Sequence, residues 1–136
     1  FYGWWSSFLP SSRAGRAAFA LGVAGATCDL GCEAILAFGT SEIHRSTPHD
    51  LGLVTTIFAN GLYCVAGVIL TLATTALPRW LRAWTWAIWL TGFAMTAAGV
   101  ADSLTAIKIT TAVLTVLLCP WFLAMGRFLT RNAPSA

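Results

Sequence analysis

Apolar residues fall along this chain in four long blocks separated by short polar or charged breaks, covering residues 13–38, 48–77, 80–100 and 104–129. A helix that crosses the hydrocarbon core, about 30 Å thick, needs roughly 20 largely apolar residues. Each block meets that length, and together they use nearly the whole chain. The pattern predicts an all-α integral membrane protein, a four-transmembrane-helix antiparallel bundle over residues 13–131 with a tail at 132–136. A short interfacial segment is predicted at 1–12. Phe1, Tyr2, Trp4, Trp5 and Phe8 crowd its start, and such rings favour the headgroup region. Pro10 and Ser11-Ser12 end it.

The breaks carry helix signals. Ser12 is placed to cap the first span and Ser103, after Asp102, the fourth. Thr47-Pro48-His49-Asp50 sets a capping hydroxyl, a first-turn proline and a carboxylate before the second span. Pro78 and the arginines after it close that span. Pro120 lies inside the fourth, where it removes a backbone hydrogen bond and predicts a kink. Gly22 with Ala26, and Ala24 with Cys28 and Cys32, put small residues at four-residue spacing on the first span, which lets a neighbouring helix come close.

Composition sharpens this picture. Of 136 residues 57% are hydrophobic and only 10% charged, against about a quarter charged in soluble domains. That shortage of charge leaves the surface to lipid and no room for a separate water-phase catalytic domain. Phe1–Pro10 carries no basic segment or cleavage site of a secretory signal. The small positive charge points to no nucleic-acid partner, since the basic residues sit at span ends. Arg13, Arg16, Arg79, Arg82, Arg127 and Arg131 share one side of a four-span chain; Arg45 and Lys108 lie opposite. The positive-inside rule makes the arginine side cytoplasmic, with both termini there, in a cell (inner) membrane.

Chemistry concentrates in the first span. Asp29 and Glu33 are four apart and therefore near one face. At 1.5 Å per residue they lie about 18 and 24 Å from the cytoplasmic edge. Intramembrane carboxylates cost a few kcal/mol and usually face a bundle interior or cavity. Depth matching predicts an intramembrane polar cluster of Asp29, Glu33, Asn60 and Lys108, with Glu33–Lys108 as an ion pair. It serves to fix helix packing, to conduct protons or ions, or to contact a cofactor. His44 and His49, beside Glu42, are weak candidate ligands in the outer loop; no metal site is predicted. Cys28, Cys32, Cys64 and Cys119 fit neither a zinc loop nor a disulfide framework. Of the seven tryptophans, Trp4, Trp5, Trp80, Trp84 and Trp121 suit interfacial anchoring. Trp86 and Trp89 lie deeper, as candidate walls of a cofactor pocket.

These features favour a small non-catalytic accessory or structural subunit of a larger bacterial-type membrane complex, an energy-transducing one (respiratory or photosynthetic). Its partners would be other membrane subunits and the bilayer. Lipid, quinone, carotenoid or a chlorophyll-type pigment are the cofactor classes that aromatic, apolar surfaces suit. The alternative is a small dimeric proton- or ion-coupled transporter using Asp29 and Glu33.

Overall fold

The computed structural model describes residues 2–7, 9, 12–39 and 48–132, and every regular element among them is helical. Helix α1 (Tyr2–Ser7) precedes four long helices: α2 (Arg13–Phe38), α3, α4 (Arg79–Val100) and α5 (Leu104–Arg131). α3 is unbroken but changes its winding, from α-helical Pro48–Val54 through π-helical Thr55–Ala59 to α-helical Asn60–Ala73. Three stretches, Arg13–Phe38, His49–Ala73 and Leu104–Arg131, are long and apolar enough to cross a membrane. α4 has the length, 22 residues or about 33 Å, but its apolar run is interrupted by threonines and tryptophans and it falls outside that set.

Local chemistry explains the helix ends. Ser12 has extended backbone, and its Oγ accepts from the Gly15 N–H at 2.8 Å. Ser103 Oγ accepts from the Ala106 N–H at 3.4 Å. Asp102 takes a left-handed conformation (φ 49°) in the turn before it, which a short polar side chain tolerates better than most. α3 stops at Ala73, short of the apolar block's end. There the Arg82 guanidinium donates to the carbonyls of Thr74 (3.2 Å) and Thr75 (2.8 Å), satisfying acceptors that a helix end leaves open. Thr47, the predicted cap of α3, lies outside the described residues. α5 runs through Pro120 as one helix; the ring deprives the Val116 carbonyl of its usual donor.

Consecutive helices pack side by side, α2 on α3, α3 on α4 and α4 on α5. α2 and α5, the outer members, share no packed interface. The buried face of α2 is Gly15, Ala18, Gly22, Gly25 and Cys32, a three- and four-residue repeat of small side chains. Of the small residues expected there, Ala24 instead faces outward. On the α3–α4 seam a Cβ at Gly67 would overlap the Trp89 ring, and one at Gly92 would overlap Cys64 Sγ. Glycine at those two positions sets how closely the helices approach.

The large side chains of the core gather at the arginine-bearing end. Trp5, Leu70, Leu81, Ile88, Trp121, Met125 and Leu129 are fully buried there. α1 packs on α2 and α3, so Trp5 sits inside the bundle and not at a headgroup surface. Trp121, expected as an anchor, is equally buried, whereas Trp80 is exposed at 59%.

Candidate functional site: a cleft between the outer helices

The missing α2–α5 interface leaves a cleft whose floor is α3 and α4. Its lining begins with the π-helical turn, an insertion into regular winding that often accompanies functional positions. The turn ends at Asn60, whose buried Nδ2 donates to the Gly92 carbonyl (2.6 Å) and to Thr96 Oγ1 (2.8 Å). Thr96 Oγ1 lies 3.5 Å from the Thr56 carbonyl, to which it donates. Asn60 therefore spends both amide protons on α4, and with Cys64 Sγ 3.9 Å from its Oδ1 it is a packing residue.

Asp29 reaches the cleft from α2 and is half-buried. With Thr55, Thr56, Asn60, Tyr63, Met95, Thr111, Leu114, Thr115 and Leu118 it lines a cavity of about 300 Å³. Asp29 is the charged group in that lining. Beyond Tyr63 lies a second cavity of about 210 Å³, lined by Tyr2, Tyr63, Cys64, Ile88, Trp89, Leu114, Leu118 and Phe122. The two share Tyr63, Leu114 and Leu118 and form one polar-to-apolar path. Tyr2 closes it at the arginine-bearing end, its ring stacked on Tyr63 (centroids 6.1 Å, 5° between planes). The Tyr2 hydroxyl donates to the Tyr63 carbonyl at 2.8 Å. Burial pushes that phenol well above its ordinary pKa, with nearby Cys64 and Tyr63 adding to the shift, so it stays a neutral donor.

Behind the apolar cavity stands a set of tryptophan–threonine bonds. Trp5 Nε1 donates to Thr74 Oγ1 (3.0 Å), Trp89 Nε1 to Thr71 Oγ1 (2.9 Å) and Trp121 Nε1 to Thr85 Oγ1 (2.8 Å). Thr71 and Thr85 pass their own protons to the Gly67 and Leu81 carbonyls. Trp121 touches Trp5 and Trp89, with ring centroids 6.0 and 5.8 Å away. Among the described residues no buried side-chain nitrogen or oxygen lacks a partner.

The expected polar cluster is therefore divided. Asp29 and Asn60 share the cavity, while Glu33 and Lys108 are exposed and absent from its lining. No Glu33–Lys108 ion pair forms: both side chains are exposed, and the helices that carry them share no extensive interface. His49 Nε2 lies 3.1 Å from Asp102 Oδ1, between two exposed side chains, a contact that is an ion pair when the imidazole is protonated. It ties the start of α3 to the α4–α5 turn. His44 and Glu42 lie outside the described residues. Among those described, no three His, Cys, Asp or Glu side chains converge as a metal group. All four cysteines are free, Cys64 buried and Cys119 exposed. Of the pocket candidates, Trp89 lines the apolar cavity and half-buried Trp86 does not.

Sequence reasoning missed Tyr2, Tyr63, Thr71, Thr74 and Thr85. The available signal was threonine recurring within apolar helices, where a hydroxyl can accept from an indole N–H that lipid cannot satisfy. As for relatives, no family model matches the chain, and no curated protein or solved structure matches it either.

Proposed function

We propose that this is a four-span protein of the cell (inner) membrane and a non-catalytic accessory subunit of a larger membrane complex, of the energy-transducing (respiratory or photosynthetic) kind. The observation that carries the reading is the state of α2 and α5. Both outer helices leave large apolar side chains uncovered, including Leu30 at 70% and Val116 at 72% exposure, and both add a charge, Glu33 or Lys108, to that exposed surface. A lipid-facing surface needs no charge, whereas a subunit interface uses one to fix register and partner.

α4 is the fourth span in this reading. It is long enough, lies between α3 and α5, and joins both through short turns. Arg127 and Arg131 share a recess with Pro78 and Trp80, which gathers arginine-bearing segments at one end. The positive-inside rule then puts that end, and both termini, in the cytoplasm. Fusing a reporter that fluoresces only in the cytoplasm to Ala136 tests the orientation; a dark fusion with an active periplasmic reporter reverses it.

Purification of the native chain in mild detergent tests the function. Fixed-stoichiometry copurification with larger, cofactor-bearing subunits is the expected result. A second reading, proton- or ion-coupled transport by a dimer, is supported by Asp29 in its cavity; Glu33, on the outer surface, takes no part in it. An isolated dimer with a proton-coupled substrate response favours that reading and overturns the first.

A further inference from the structure

We propose that the cleft is a binding site for a single-chain amphipathic amine, with Asp29 as counter-ion to the ammonium group and the cavity beyond Tyr63 as the berth of the hydrocarbon arm. This inference goes beyond the subunit reading and does not depend on it; it rests on the reading of α2 as a membrane span.

Asp29 lies nine residues from Phe38, the far end of α2, which places it about 14 Å inside that end. A carboxylate at such depth is costly unless something compensates it. Among the described residues nothing does: no ion pair or hydrogen bond reaches Asp29 from the protein. The hydroxyls across the cleft add acceptors. Thr111 Oγ1 donates to Met95 Sδ at 3.2 Å, and Thr115 Oγ1 donates to the Thr111 carbonyl at 2.9 Å. A hydroxyl that has spent its proton keeps lone pairs. The Asn60 amide protons are committed to Gly92 and Thr96. This wall therefore suits a group with several donors and a positive charge, and an alkylammonium has three donors and no acceptor.

The adjoining cavity supplies the other half of the recognition. Ile88, Trp89, Leu114, Leu118 and Phe122 give it an apolar wall of about 210 Å³; with its polar neighbour of about 300 Å³ it falls in the range of small-molecule sites. Access is lateral, because α2 and α5 do not close on each other. The depth of Asp29 separates this ligand from the bilayer's own amine headgroups, which stay at the surface while their chains hold them there.

The test uses the full chain in phosphatidylcholine nanodiscs, with radiolabelled dodecylamine as probe and empty discs as the baseline. Saturable binding above that baseline is expected, weakened about tenfold or more by Asp29→Asn, a change of about 1.4 kcal/mol or more. Dodecanol, which has the same chain without the charge, should compete poorly. Discs containing phosphatidylethanolamine should bind dodecylamine as well as those without it. Leu118→Trp fills the waist between the cavities while leaving Asp29 in place, and it should abolish binding; this variant decides the matter if Asp29→Asn does not assemble. No saturable component, undiminished binding by either assembled variant, or equal competition by dodecanol or phosphatidylethanolamine would overturn the proposal.

Discussion

The two ends of the bundle are built on opposite plans. At the arginine-bearing end, large rings fill the space between helices and each buried indole N–H meets a threonine hydroxyl. Toward the far end the buried residues are small, Cys32, Ala59 and Ala98. A carboxylate and several threonines there face a cleft instead of a packed neighbour. The contrast teaches where polar groups serve structure and where they are left over for something else. Trp–Thr bonds and Asn60 are satisfied within the protein and fix helix packing, while Asp29 is not. Substitutions at the Trp–Thr bonds or at Asn60 should therefore disturb assembly, and substitution of Asp29 should leave it intact.

The largest effect belongs to Gly67→Leu. A side chain there overlaps the Trp89 ring on the facing helix, so the α3–α4 seam cannot close; the expected outcome is loss of the monodisperse folded species on size exclusion. Next is Trp121→Ala, which empties the centre of the ring cluster and orphans the Thr85 acceptor. About 3–5 kcal/mol of stability should be lost, read by unfolding in mixed micelles. Asn60→Leu removes the bonds to Gly92 and Thr96 and should cost about 1–3 kcal/mol. Asp29→Asn should not destabilise the chain and should stabilise it if anything, because no protein partner is lost and an uncompensated intramembrane charge is removed. If Asp29→Asn proves as damaging as Asn60→Leu, the division between structural and spare polar groups is wrong.

Helices were the most legible part of this molecule in its sequence. Blocks of apolar residues locate α2, α4 and α5 closely, and Ser12 and Ser103 cap where their chemistry says they should. α3 was legible as a helix but not in its winding, because a π turn over Thr55–Ala59 depends on tertiary packing and leaves no residue signature. Depth along the membrane paired Glu33 with Lys108; rotation about each helix and the order of helices in the bundle decided otherwise. Depth is a one-dimensional quantity, and contact requires three. Trp5 and Trp121 went unrecognised for a related reason. An indole near a span end reads as an interfacial anchor until a buried hydroxyl such as Thr74 or Thr85 is known to face it.

What the outer faces of α2 and α5 touch is the measurement on which the proposed function turns most directly. A photo-activatable benzophenone residue placed at Leu30 or Val116, in cells expressing the chain at native level, reports those contacts in the intact membrane. The account predicts discrete protein adducts of constant mass from both positions, matching subunits that copurify with the chain. Lipid adducts alone from both positions, with the chain otherwise migrating by itself, would contradict it.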